Sequence, residues 1–285
     1  MIAKGIAVVG STTIDKIILR NGSRFKIGGV TLYSGATYSR HGINTIAITN
    51  IAARDTRLIE RLENQRIFVY SGRTSQTTHF INDIHAKNRE QKNPACAASI
   101  SRRQIWDQIN EVDFLHLGPL HPDDIDVRAI QALKAMDLEI ILDIQGMVRK
   151  VRNGVVYPAV APQLSDSLSV SQIVKANKHE YATMLAFYQS DLVTLMRKFD
   201  IREFIVTAGT SGGFVQKTSA ATIPYDAAAT KFEGDPTGAG DIFLAAYVVA
   251  RLLKQHSIPQ ASRYAAQLVA RQIEGNYIKA DELHI

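Results

Sequence analysis

The chain contains a single cysteine, Cys96, so it can form no internal disulfide and holds no CxxC redox or metal pair. That scarcity points to a reducing compartment. No stretch approaches the ~18 consecutive apolar residues that cross a bilayer. The opening MIAKGIAVVGSTTID is apolar over too short a run for the core of a secretory signal, and reads as a buried first strand. A cytoplasmic protein with no membrane partner is the expectation. Its eight histidines never fall at HxxxH or HExxH spacing, and no structural metal is indicated. The phosphate-loop string GxxxxGK[ST] and the dinucleotide fingerprint GxGxxG are both missing. Net charge is +6. The densest basic groups, SRRQ at 101–104 and VRKVR at 148–152, have no interleaved aromatics. They read as solvated surface rather than as a nucleic-acid site.

What is present is ordinary globular composition. The chain has 285 residues, 46% hydrophobic and 21% charged, enough to bury a core as one large α/β domain or two smaller ones. Short apolar runs bounded by turn residues occur at GIAVVG (5–10), DFLHLG (113–118), EIILDI (139–144) and EFIVTAG (203–209). Runs of this length without alternation suit strands buried on both faces, as in a parallel sheet. Between them, IDVRAIQALKAM places Val127, Ile130, Leu133 and Met136 on one helical face, and QSDLVTLMRKF offers Asp191 as a cap. QIWDQI puts Trp106 in a helix. Alternating β and α predicts a doubly wound αβα sandwich with a mainly parallel central sheet. Two stretches break the rhythm. Residues 15–29 carry an Asn-Gly turn between strand-like arms, and 77–93 are polar and partly alternating. Either they form a small β lid over a ligand or they are surface hairpins.

The string DPTGAGD, residues 235–241, precedes the apolar run IFLAAYVVARLL. Gly238, Ala239 and Gly240 carry little or no side chain, so their N–H groups can approach an anion closely. They open a helix, where first-turn donors are unpaired and the dipole is positive. Such a cradle suits a phosphoryl group. A carboxylate beside it, Asp241, is unfavourable unless it accepts a proton from a hydroxyl attacking phosphorus. Asp235 lies across the turn, and Thr237 adds a hydroxyl. An isolated GxGD is also compatible with a plain capped helix start.

DPTGAGD resembles the C-terminal signature of the ribokinase-like, or PfkB, family of small-molecule kinases, with Pro236 the one departure. IVKANKHEY (173–181) is similar to the family's NxxE element through Asn177 and Glu180. IVTAGTSGG (205–213) resembles its nucleotide-side strand and turn through Thr207, Gly209 and Gly212. GSTTIDKI places Asp15 at the substrate-binding aspartate, and GGVTLYSGATYSRHG (28–42) resembles the N-terminal signature. Tyr33 stands where many sugar kinases keep an asparagine. VTLYS and DIQGMVR (143–149) look more like the branch with inositol kinases and archaeal nucleoside kinases.

The resemblance implies one kinase domain over 1–285, with lid segments at about 15–30 and 72–95. It implies an ATP-dependent kinase acting on a hydroxyl of a small polyol, sugar or nucleoside. Asp241 would be the base, and Gly238, Ala239 and Gly240 the anion hole. Asn177 and Glu180 would place Mg²⁺ through waters. Thr207, Gly209 and Gly212 would line the ATP site; Asp15, Gly28, Gly29 and Arg149 would meet substrate; Asp235 and Thr237 match positions for K⁺. Arg149 is either a ligand contact or a surface charge. A homodimer through the lid is expected. The alternative is a non-catalytic nucleotide or sugar sensor on the same scaffold. The acceptor, the nucleotide donor, K⁺ dependence and oligomeric state stay open. Deleting 77–93 is expected to lower transfer and raise futile ATP hydrolysis; a strictly proportional fall in both rates would exclude a shielding role.

Overall fold

The computed structural model describes residues 5–19, 22–83, 90–219, 221–231 and 234–285. Its strands are β1 (Ile6–Val9), β2 (Thr13–Leu19), β3 (Gly22–Gly28), β4 (Thr45–Asn50), β5 (Ile67–Gly72), β6 (Thr78–Asp83), β7 (Glu90–Ala95) and β8 (Phe114–Leu117). They continue with β9 (Glu139–Asp143), β10 (Arg149–Arg152), β11 (Val155–Pro158), β12 (Ile173–Asn177), β13 (Glu203–Thr207), β14 (Gly213–Lys217) and β15 (Thr222–Tyr225). The helices are α1 (Val30–Arg40), α2 (Arg57–Asn64), α3 (Arg102–Trp106), α4 (Val127–Ala132), α5 (Leu164–Leu168), α6 (Lys178–Tyr188), α7 (Leu192–Phe199), α8 (Ala239–Val248), α9 (Ile258–Ile273) and α10 (Ala280–Leu283).

The four apolar runs form β1, β8, β9 and β13. Their side chains divide between two cores, as the pleat requires. Ile6 and Val8 join one, Ala7 and Val9 the other; Ile205 joins the first, Phe204 and Val206 the second. Helices α1, α2, α8 and α9 cover the first face, and α3 to α7 the second. The nine-stranded sheet runs β15-β14-β13-β12-β9-β8-β1-β4-β5. It is parallel from β13 to β5, with β14 and β15 as an antiparallel edge. The chain winds from β1 through β4 to β5, then crosses to the opposite side of β1 to lay down β8. In an open α/β sheet, the crevice at such a reversal, beyond the carboxyl ends of the strands, is where ligands bind. Asp143, Asn177 and Thr207 are the last residues of their strands at that edge.

Asp191 caps α7 by accepting the Thr194 amide, at 2.9 Å. The IDVRAIQALKAM segment yields only the short α4, followed by a 3₁₀ turn at Leu133–Ala135. Its strict three-residue apolar spacing suits the tighter helix, in which i and i+3 eclipse. Trp106 ends α3, packed against the second core with the Arg102 guanidinium 4.8 Å from its ring centroid.

A second sheet of six strands runs β10-β11-β7-β6-β2-β3. The 15–29 arms pair antiparallel as β2 and β3, and the 77–93 stretch supplies β6 and β7. Residues 20–21 of the first turn and 84–89 of the second loop lie outside the described residues. The sheet also takes in β10 and β11, a segment whose basic residues suggest only solvated surface. The signal that marks it is an Asn-Gly pair: RNG occurs at 20–22 and again at 152–154. Asn153 and Gly154 sit at φ 51° and 75°, both in the left-handed range that a tight I′ hairpin turn demands. Among the described residues, no helix is long and apolar enough to cross a membrane.

A Cβ at Gly154 would meet nothing within 4 Å, so Gly154→Ala tests dihedral strain alone. The substitution should cost about 1 kcal/mol in urea denaturation, with Gly154→Asn costing less. Equal midpoints for all three proteins would show that the turn is not held in the left-handed region.

Candidate active site

Helix α8 begins at Gly238, its N-cap, with φ 78°. A Cβ there would collide with the Tyr33 ring, so the residue must be glycine for both conformation and space. Gly240 is constrained differently: a Cβ would fall 2.7 Å from Lys175 Nζ. The second glycine makes room for an ammonium. The Ala239 amide donates to the Pro236 carbonyl at 3.1 Å. That closes the turn and engages one of the three cradle amides. Asp241 sits in the first turn of α8, where a negative charge is favoured, and the Ser34 hydroxyl donates to its backbone carbonyl.

Lys175 is a site residue that no motif in the sequence singles out. It lies on β12, is 4% exposed, and pairs with Asp143 Oδ2 on β9 at 2.7 Å. Their signal is a charge embedded in strands buried on both faces, which is rare unless the charge is paired. Burial disfavours the Lys175 ammonium, but the carboxylates of Asp143 and Glu180 outweigh it and hold its pKa above the ordinary value. Burial also raises Glu180, against the pull of Lys175. Asp241 is pushed up to about 7 by burial and by the Asp143 charge, with Lys175 and Arg149 acting against the rise. Five charged groups from β9, β12, α6, β10 and α8 thus share one electrostatic environment.

Asn177 and Glu180 form a capping box at the start of α6. Asn177 Oδ1 accepts the His179 and Glu180 amides at 2.9 and 3.0 Å, and Glu180 Oε2 accepts the Asn177 amide at 2.7 Å. The cap accounts for the pair as a helix start. The box uses one of the two Glu180 oxygens. Among the described residues, no cluster of three or more His, Cys, Asp or Glu could ligate a metal directly. The pair offers oxygen donors, the ligand chemistry that a hard cation such as Mg²⁺ takes.

Thr207 closes β13 opposite Asn177. Gly209 and Gly212 follow at φ 60° and 74°, and the Ala208 amide donates to the Gly212 carbonyl at 2.7 Å. A Cβ on Gly212 would strike the Tyr225 carbonyl. Gly212 is thus required by the turn itself, and Gly209 is favoured there by its left-handed φ.

Asp15 lies within β2, buried, and accepts the Thr13 hydroxyl at 2.7 Å. Gly28, across the ladder from Thr13, leaves room for its carboxylate. Burial pushes Asp15 up to about 6, against Thr13 and Lys26 and with help from Asp235. Gly29, at φ 91°, starts α1 where any side chain would strike the Ser11 carbonyl. Tyr33 is 1% exposed, and its hydroxyl has no hydrogen-bond partner among the described residues. Arg149 opens β10 and acts electrostatically on Asp241 and Glu180, so it belongs to the site's charge balance.

Asp235 and Thr237 do not fit a potassium ion. Asp235 Oδ2 takes the Lys26 ammonium at 2.6 Å, with Arg24 at 3.5 Å. Oδ1 takes the Thr237 amide and hydroxyl at 3.0 and 2.5 Å. Both oxygens are committed, and a cation already stands on one. Burial works against the Asp235 charge, but Lys26 and Thr237 hold its pKa down to about 2.

The structure thus sets a carboxylate at a glycine-opened helix mouth, beside the carboxyl-edge residues of a doubly wound sheet. The chain belongs to the pfkB family of carbohydrate kinases, whose model matches residues 5–277; it is a phosphotransferase. Among solved structures it is similar to a pyrophosphate-dependent kinase in the ribokinase family (TM-score 0.83, 21% identity, covering 94% of this chain and 95% of that one). It also resembles the nucleoside kinase of Methanocaldococcus jannaschii (TM-score 0.75, 16% identity, 99% and 95%). A third relative is the ribokinase of Thermotoga maritima (TM-score 0.73, 17% identity, 98% and 97%). No curated protein sequence matches.

The partial burial of Asp241 bears on stability as well as on chemistry. Its carboxyl loses a proton near 3.8 when unfolded and near 7 when folded. Between those values the native state binds a proton that the unfolded chain lacks, so stability falls as pH rises. Asp241→Asn, which cannot titrate, should exceed the wild type in stability at pH 8 by as much as about 4 kcal/mol, converging toward pH 4. Thermal melts across that range measure it; a pH-independent difference would refute the shift.

Proposed function

We propose that the chain transfers the terminal phosphoryl group of ATP to a hydroxyl of a small polyol, sugar or nucleoside. The observation that carries this reading is the placement of Asp241: a carboxylate in the first turn of α8, one residue beyond the glycines that open the helix and within the field of Lys175 and Arg149, with burial pushing it up. As the acceptor oxygen forms its bond to phosphorus, its proton passes to Asp241, and the bond to the leaving phosphate breaks. Amides at the α8 mouth and the Lys175 ammonium meet the charge on the moving group. Asp143 keeps Lys175 in place. Mg²⁺, when bound, would neutralise donor phosphate charge, held through waters by Asn177 and Glu180. Thr207, Gly209 and Gly212 would line the nucleotide. Asp15, with Gly28 and Gly29 leaving space beside it, would accept acceptor hydroxyls, and Tyr33 would turn its unpartnered hydroxyl toward the same ligand. The six-stranded sheet would act as the lid and would pair two subunits in a homodimer.

A second donor fits the same cradle. The structural neighbours include a pyrophosphate-dependent kinase complexed with a pyrophosphate analog and myo-inositol. A buried ammonium at the cradle supplies positive charge without a nucleotide, which suits pyrophosphate as well as ATP.

The test is a product assay pairing ATP or pyrophosphate with myo-inositol, cytidine, adenosine, ribose and fructose 6-phosphate. One pair should turn over with an acid limb near pH 7. Asp241→Asn should lower kcat by about 10²–10⁴ while donor binding persists. Undiminished turnover by the Asn variant would remove Asp241 from the chemistry. Donor binding without turnover on any acceptor would favour the sensor reading.

A further inference from the structure

The turn that launches the glycine cradle is tied down from the other sheet. Lys26 sits on β3, directly across the ladder from Asp15. It is 5% exposed, yet its ammonium reaches Asp235 at 2.6 Å. A buried ammonium costs free energy unless it is paired, and two carboxylates face this one: Asp235 by hydrogen bond and Asp15 across the ladder. Asp235 in turn holds Thr237 through both its amide and its hydroxyl, and Gly238 follows at once. A cavity of about 250 Å³ adjoins the pair, lined by Arg24, Lys26, Tyr33, Asp235, Thr237 and His284 among others.

We propose that Lys26 is a tethered monovalent cation: a positioning residue whose ammonium occupies the cation place on Asp235, fixes the 235–237 turn, and makes the cradle independent of added potassium. The physical reason is substitution in kind. A potassium ion and an alkylammonium carry the same charge and compete for the same carboxylate oxygen. The ammonium is carried on a chain element and held beside the carboxylate, so it binds intramolecularly where a free ion must be captured from solution. Because the tether is a strand of the six-stranded sheet, the seating of that sheet and the geometry of the turn are one event. Removing the side chain should open a place that a small free cation can reach through the adjoining cavity, in competition with the Arg24 guanidinium 3.5 Å from the same oxygen.

The activity arm of the test rests on the kinase reading; the melting arm does not. Wild type, Lys26→Met and Lys26→Gln are melted and assayed in potassium, ammonium and tetramethylammonium chloride at equal ionic strength. Wild type should melt at the same temperature in all three salts. Lys26→Met should melt about 3 °C or more higher in potassium or ammonium than in tetramethylammonium, saturably. Its kcat should fall about tenfold in tetramethylammonium and recover in the small cations, with acceptor KM nearly unchanged. Potassium-specific stabilisation of the wild type would overturn the proposal. So would variants indifferent to the salt, or a loss confined to acceptor KM. If Lys26→Met does not fold, Lys26→Gln and the wild-type comparison still decide. Should no donor and acceptor pair turn over, the kinase reading fails, while the salt dependence of melting still decides whether Lys26 stands in for a free cation.

Discussion

The site is organised by an ion pair in a place where ions are costly. Lys175 and Asp143 meet between adjacent parallel strands, under the mouth of α8, and both are almost fully buried. Separated, each would carry a charge that burial strongly disfavours; together they deliver one ammonium to the edge of the glycine cradle. The bare Cα of Gly240 follows from that placement. So does the poise of Asp241, which feels the Asp143 charge pushing it up and Lys175 and Arg149 pulling it down. Remove the pair and the helix mouth remains, but neither its local charge nor the acidity of its carboxylate would be the same.

The second sheet meets this centre in two ways. Arg149, at the start of β10, contributes charge to Asp241 and Glu180. Lys26, on β3, grips the turn from which the cradle grows. The large sheet supplies the carboxyl-edge residues, and the smaller sheet balances and braces them. Such an arrangement suits chemistry in which water must be shut out while charge moves.

In the large sheet, β4, β5, β12, β14 and β15 were not read from apolar runs, because polar residues such as Lys175 in β12 interrupt them. Strands β1, β8, β9 and β13 were legible as continuous apolar runs, a pattern that survives without knowledge of neighbours. The cap at Asp191 and the helix behind DPTGAGD were legible for the same reason: their cues lie within a few residues of each other. The β10–β11 hairpin was readable in its Asn-Gly pair but was masked by surrounding basic residues. Several glycines have packing reasons visible only in space, such as Gly238 beneath Tyr33 and Gly212 against the Tyr225 carbonyl. The Asn177–Glu180 pair is a complete capping box, whatever further work it does.

From the sequence by itself come the doubly wound architecture, the glycine-lined helix start and the carboxylate beside it, because each depends on local periodicity or adjacent residues. Only the tertiary structure decided that Lys175 and Asp143 meet, 32 positions apart, and that Lys26 reaches Asp235 across 209 positions. Charge partners so distant along the chain leave no local pattern. Their pairing is settled by which strands lie side by side and by the free energy of keeping a buried charge company.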